Sequence, residues 1–150
     1  MSLAPSIARS CSTSGCSAKP GALRRRSSPL RVTSEPALDS GIEREPNDDR
    51  AHANPAVPGE SIAGYLWPGD ADWYCSAEGV ALGARIDALA EVDWKLELTD
   101  AAGKTIKKAD EGKRGAGEEL ASDPRARCVR VSARSRDTAF DAPYRLSFLP

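Results

Sequence analysis

The sequence predicts an all-β domain, a jelly-roll-like antiparallel β-sandwich of seven or eight strands, preceded by a disordered tail. Three observations predict it. From residue 60 onward, short apolar runs recur at near-regular spacing, each closed by Gly, Pro or Asp. Within several of those runs apolar and polar side chains alternate, the period of a strand with one wet face. No segment in that stretch sustains a helical period with a cap at each end.

The elements follow in order. Residues 1–41 are rich in Ser, Ala, Pro, Gly and Arg and carry no sustained periodicity. Such a stretch cannot bury enough apolar surface to offset the entropy of ordering it, so a disordered tail is expected, with the folded domain over 42–150. "ESIAGYLW" (60–67), "ADWYCSA" (71–77) and "VALGARID" (80–87) are the first strands, with "PGD" and "EG" as their punctuation. "VDWKLELT" (92–99) sets Trp94, Leu96 and Leu98 on a core face and Lys95, Glu97 and Thr99 on a wet one. "DAAG" (100–103) is a hairpin turn into the more exposed "KTIKKAD" (104–110), and "GEELAS" (117–122) is a short strand. "ARCVRVSA" (126–133) points Val129 and Val131 one way; "YRLSFL" (144–149) does the same with Tyr144, Leu146 and Phe148.

The formal net charge is −1, but it is uneven: residues 1–40 carry +4 and residues 41–150 carry −5. A basic tail on an acidic domain can serve as a nucleic-acid arm, which makes a nucleic-acid-binding or catalytic protein the alternative reading. The tail has no aromatic residue to stack on a base, so no nucleic-acid partner is expected. No apolar run approaches the ~20 residues of a membrane helix, and residues 1–40 contain no apolar core of a secretory signal.

Catalytic patterns are weak, and no enzyme is expected. "GESIA" carries Ala63 where a nucleophile elbow needs its second Gly. His52, the one histidine, sits in a Pro- and Ala-rich loop with no evident orienting partner. Glu118 and Glu119 are adjacent on a strand, point to opposite faces and read as a solvated edge. Cys11 and Cys16 read as unstructured thiols or a small loop disulfide. Cys75 and Cys128 lie in expected strands and are expected to pair in an oxidising compartment. Two buried free thiols are the alternative, and face parity sets Cys75 with Trp73 but Cys128 with Arg130. Trp67 and Trp73 flank the "PGDA" turn, where exposed rings would suit a sugar platform, although aromatics at a strand end more often belong to the core rim.

The sharpest feature is "EREPNDD" (43–49), four carboxylates and an amide in seven positions. Like charges so close repel unless they are solvated or share a cation. Calcium takes six to eight oxygen ligands from carboxylates, amide carbonyls and water. The alternation of Glu43, Glu45 and Asn47 points three such donors one way, with Asp48 beside them, and "GDADWY" supplies Asp70 and Asp72 at the mouth of a strand. From local sequence alone, a solvated acidic linker is the simpler reading.

Taken together, "EREPNDDRAHANP…GESIAGYLWPGDADWY", "DWKLELTDAAGKTI" and "ARCVRVSA…APYRLSF" resemble the bacterial pre-peptidase C-terminal domain over about residues 43–149. The resemblance, which extends to collagen-binding domains of collagenases, implies a non-catalytic accessory module of an exported protein. It implies an extracellular or cell-envelope location, a protein or polysaccharide ligand, and a monomer. It also implies a Ca²⁺ site at Glu43, Glu45, Asn47, Asp48, Asp70 and Asp72. The surface aromatics used by the collagen-binding relatives are not placed by this sequence, so collagen binding is not implied. Cys75 and Ser76 depart from the family's pattern after Tyr74.

Overall fold

Nine strands and no helix form among the described residues, 41–134 and 137–150 of a computed structural model. The expectations for the tail, with Cys11 and Cys16, fall on residues 1–40 and lie outside them. The strands are β1 (Asn54–Pro55), β2 (Ser61–Leu66), β3 (Asp72–Cys75), β4 (Leu82–Ile86), β5 (Trp94–Thr99), β6 (Thr105–Ala109), β7 (Glu118–Asp123), β8 (Cys128–Ala133) and β9 (Ala139–Leu149). The eight expected strands are β2 to β9. The added β1 is an Asn-Pro pair too short to alternate, and β9 starts five residues before the expected "YRLSFL".

One sheet has the order β1-β3-β8-β5-β6 and the other β2-β9-β4-β7. The pairs β2/β9, β3/β8, β4/β7 and β5/β6 are those of one long hairpin whose tip is the turn at Asp100–Lys104. Rolling that hairpin sends successive pairs to alternate sheets, and β4/β9 and β5/β8 then close each sheet. This is the jelly-roll winding. The tip is held by Asp100 Oδ1, which accepts from the backbone N–H of Ala102 and of Lys104, each at 2.9 Å.

The core lies between the sheets. Leu96, Leu98, Val129 and Val131 come from one sheet and Leu82, Ala84, Ile86 and Leu146 from the other, all buried. Each buried aliphatic side chain contributes roughly 1.5–3 kcal/mol. Aromatic contacts cross the same space: Trp94 meets Tyr144 edge-on at 5.4 Å, and Tyr74 meets Phe148 at 5.6 Å.

Several expectations are corrected. The second face of β5 is not wet, because Glu97 and Thr99 are 8% and 2% exposed. β5 is an interior strand, and long neighbours fold over it: Arg130 Nη1 donates to Glu97 Oε2 at 2.8 Å, and Lys95 Nζ lies 3.3 Å from the same oxygen. Glu118 is buried rather than part of a solvated edge, accepting from Gly112 N–H at 2.6 Å. His52 does have a partner, Asp49 Oδ1 at 2.9 Å, although both side chains are exposed.

Cys75 and Cys128 form a disulfide, their Cα atoms 4.0 Å apart, well inside the ~7 Å beyond which a bridge needs backbone movement. Face parity is no obstacle to the bond. Trp73 pairs with Arg130 across β3 and β8, so Cys75 and Cys128, two positions on, face each other too. Arg130 Cζ lies 5.9 Å from the centre of the Trp73 ring, a cation–π contact on that outer face.

Candidate metal centre

Residues 41–55 run along one edge of the sandwich and belong to both sheets. Ile42 bridges Ala63 of β2 in parallel, with Ala63 N–H donating to Gly41 O at 2.7 Å and Glu43 N–H to Ala63 O at 2.9 Å. Further on, Trp73 N–H donates to Asn47 O at 3.0 Å, and β1 pairs in parallel with β3. Between these anchors the chain is cinched by Asn54. Its Oδ1 accepts from Arg44 N–H and its Nδ2 donates to Arg44 O, both at 3.0 Å. The acidic segment is therefore folded back onto the start of β3.

This brings Glu43, Glu45 and Asp72 together, each offering a carboxylate oxygen within 4.8 Å of the other two. Asn47, fully buried, belongs to the same cluster, its backbone N–H donating to Glu45 Oε2 at 3.0 Å. Asp48 and Asp70 do not join that group of three. They lie beside each other, and the neighbouring Asp70 carboxyl raises the pKa of Asp48.

Two tyrosines, Tyr74 of β3 and Tyr144 of β9, floor the site, and local sequence reasoning gave them no role there. Tyr144 Oη lies 2.5 Å from Asp72 Oδ2, the two tyrosine oxygens lie 2.5 Å apart, and Tyr74 Oη lies 2.5 Å from Glu43 Oε2. Glu43 also accepts from Tyr65 N–H. Tyr144 Oη donates to Asp72, yet the pKa of Asp72 is pushed up to about 9, by burial first and then by the charge of Glu43. Burial, then Glu43, also raises Glu45. Gly64 lets this network close, since a Cβ there would stand 2.5 Å from Glu43 Oε2 and from the Tyr144 ring.

The donor set fits a hard cation. Every donor in it is an oxygen, with no sulfur or imidazole, the chemistry of calcium or magnesium rather than zinc. Asn47 gives a second test. With its amide nitrogen toward Glu45 Oε2 and Asp72 Oδ1, each contact is 3.2 Å and the amide oxygen accepts from Asn54 Nδ2 at 2.8 Å. Turned over, Nδ2 donates to Glu43 Oε2 at 3.3 Å, while the amide oxygen faces the other two carboxylates and Nδ2 faces Asn54 Nδ2. The first orientation satisfies the amide by hydrogen bonds alone, and the second makes its oxygen a ligand only when a cation offsets the facing oxygens.

No family model matches the chain, and no curated protein matches it. Among solved structures, the pre-peptidase C-terminal domain of a collagenase from Bacillus anthracis superposes with a TM-score of 0.51 at 16% identity, covering 71% of this chain and 99% of that domain. At that identity the likeness is one of architecture: this chain carries the β-sandwich fold of a pre-peptidase C-terminal domain.

Proposed function

We propose that residues 42–150 are a non-catalytic accessory module of an exported bacterial protein, locked by Ca²⁺ bound through Glu43, Glu45, Asn47 and Asp72. The convergence of Glu43, Glu45 and Asp72 carries this reading. Uncompensated, those carboxylates destabilise one another, which together with burial raises the pKa of Glu45 and of Asp72; a cation reverses the sign. Because the acidic segment bonds to both sheets, an ion there fastens one sheet to the other at that edge. Magnesium suits the site less well, since it prefers near-octahedral geometry and retains several waters.

The Cys75–Cys128 disulfide supports an oxidising, extracellular or cell-envelope location. The structural neighbour belongs to a collagenase, which fits an accessory role beside a catalytic domain. Calorimetric titration tests the ion directly. Calcium added to chelator-treated protein is expected to bind saturably, with Asp72→Asn and Glu45→Gln each weakening it. Absence of heat in the parent at millimolar calcium would remove the ion from this account.

A further inference from the structure

Three exposed aromatic side chains stand together on the outer face of the β2-β9-β4-β7 sheet. Tyr65 and Trp67 flank the inward-facing Leu66, and Leu66 pairs with Ala139, which places Phe140 beside them. Trp67 is 56% exposed and Phe140 45%, and their rings are stacked at 5.7 Å, inclined by only 9°. Trp67 also walls an open cleft of about 780 Å³, together with Pro46, Pro68, Asp48, Asp70 and Arg130. That size lies within the ~300–1,000 Å³ of ligand sites.

The lining selects the occupant. Docking an apolar protein surface on Trp67 would bury Asp48 and Asp70 without partners, at a desolvation cost. Phosphates of a nucleic acid or an anionic lipid would meet those same carboxylates. A pyranose ring satisfies both demands. Its C–H face lies flat on an aromatic ring, and its hydroxyls donate to carboxylates and accept from a guanidinium. We infer that this cleft binds the sugar rings of a neutral polysaccharide, with Trp67 as the stacking ring, held in place by Phe140 stacked against it, and Asp48, Asp70 and Arg130 as the hydroxyl partners. The inference is carried by the aromatic pair and holds whether or not calcium binds.

The test is affinity electrophoresis of the full chain through gels containing soluble derivatives of cellulose, chitin, xylan or mannan, with calcium present throughout. At least one polysaccharide is expected to retard the parent. Trp67→Ala and Phe140→Ala should weaken that retardation roughly tenfold, with melting temperatures showing that both variants fold. Val57→Ala, an exposed apolar control, should migrate as the parent does. Retardation by none of the four, or retardation unchanged in Trp67→Ala, would overturn the inference. So would sedimentation showing self-association that Trp67→Ala abolishes without any sugar binding, since a second copy would then be the occupant. Retardation in a chain whose melting ignores calcium would leave this inference standing while the ion proposal falls.

Discussion

Tyr144 Oη stands 3.0 Å from Glu43 Oε2, joining side chains 101 positions apart in the chain. Through that contact the last strand holds the acidic segment in place. Tyr144→Phe keeps the ring that packs on Trp94 and removes only the hydroxyl. Asp72 then loses its closest partner while remaining buried, which costs ~1–3 kcal/mol. Urea unfolding should show that loss with an unchanged denaturant slope; unchanged stability would mean that water replaces the hydroxyl.

Asp72 gives a pH dependence of known sign. Its carboxyl titrates at about 9 in the folded chain against 3.8 ordinarily. Between those values the folded state holds a proton that the unfolded chain has released, so stability falls as pH rises through that window. In chelator, the melting midpoint should decline from near pH 4 toward pH 9. Calcium competes with the proton on Asp72, so the midpoint gap between calcium and chelator should widen with pH. A gap that narrows with pH would contradict the assignment of the proton to Asp72.

Gly64→Ala tests how tightly the site is closed. The added methyl meets Glu43 and Tyr144 at 2.5 Å and something must shift. Overpacking of this kind costs roughly 1–3 kcal/mol. The midpoint should fall, and calcium affinity with it, because Glu43 is one of the displaced groups. Retention of both values would show that the segment is free to move.

The disulfide closes a loop spanning 53 positions. Replacing Cys75 and Cys128 together by Ala should lower stability by roughly 2–4 kcal/mol, mainly by freeing the unfolded chain. Chemical unfolding of the double variant against the parent, both kept under non-reducing conditions, measures it. Equal stability would mean that the cross-strand pair adds nothing beyond the β3/β8 ladder.

Much of this fold is legible in the sequence because alternation and turn residues act locally. Trp94, Leu96 and Leu98 announce a core face without reference to any other strand, and Asp100 announces the hairpin tip. What stays hidden depends on neighbours. Glu97 and Thr99 look solvent-facing until β8 supplies Arg130 to cover them. Glu118 looks like an edge carboxylate until the backbone at Gly112 turns toward it. The site divides the same way. The carboxylates show themselves through composition, and Glu43, Glu45 and Asn47 through alternation. Tyr74 and Tyr144 read as ordinary core aromatics because their hydroxyls meet only when β3 and β9 stack. Asn54, whose amide cinches the segment, leaves no local trace.

The central claim is that the acidic segment fastens the two sheets through a shared calcium ion. Thermal melting of the full chain in calcium and in chelator, for the parent and for Glu45→Gln with Asp72→Asn, tests it most directly. Ligand linkage raises stability by about 2.7 kcal/mol when calcium stands at one hundred times its Kd. The parent midpoint should therefore rise with calcium by several degrees, and the double variant should melt at one temperature in both solutions. A parent midpoint indifferent to calcium would contradict the claim and leave residues 43–49 as a solvated segment whose role is to position β1 against β3.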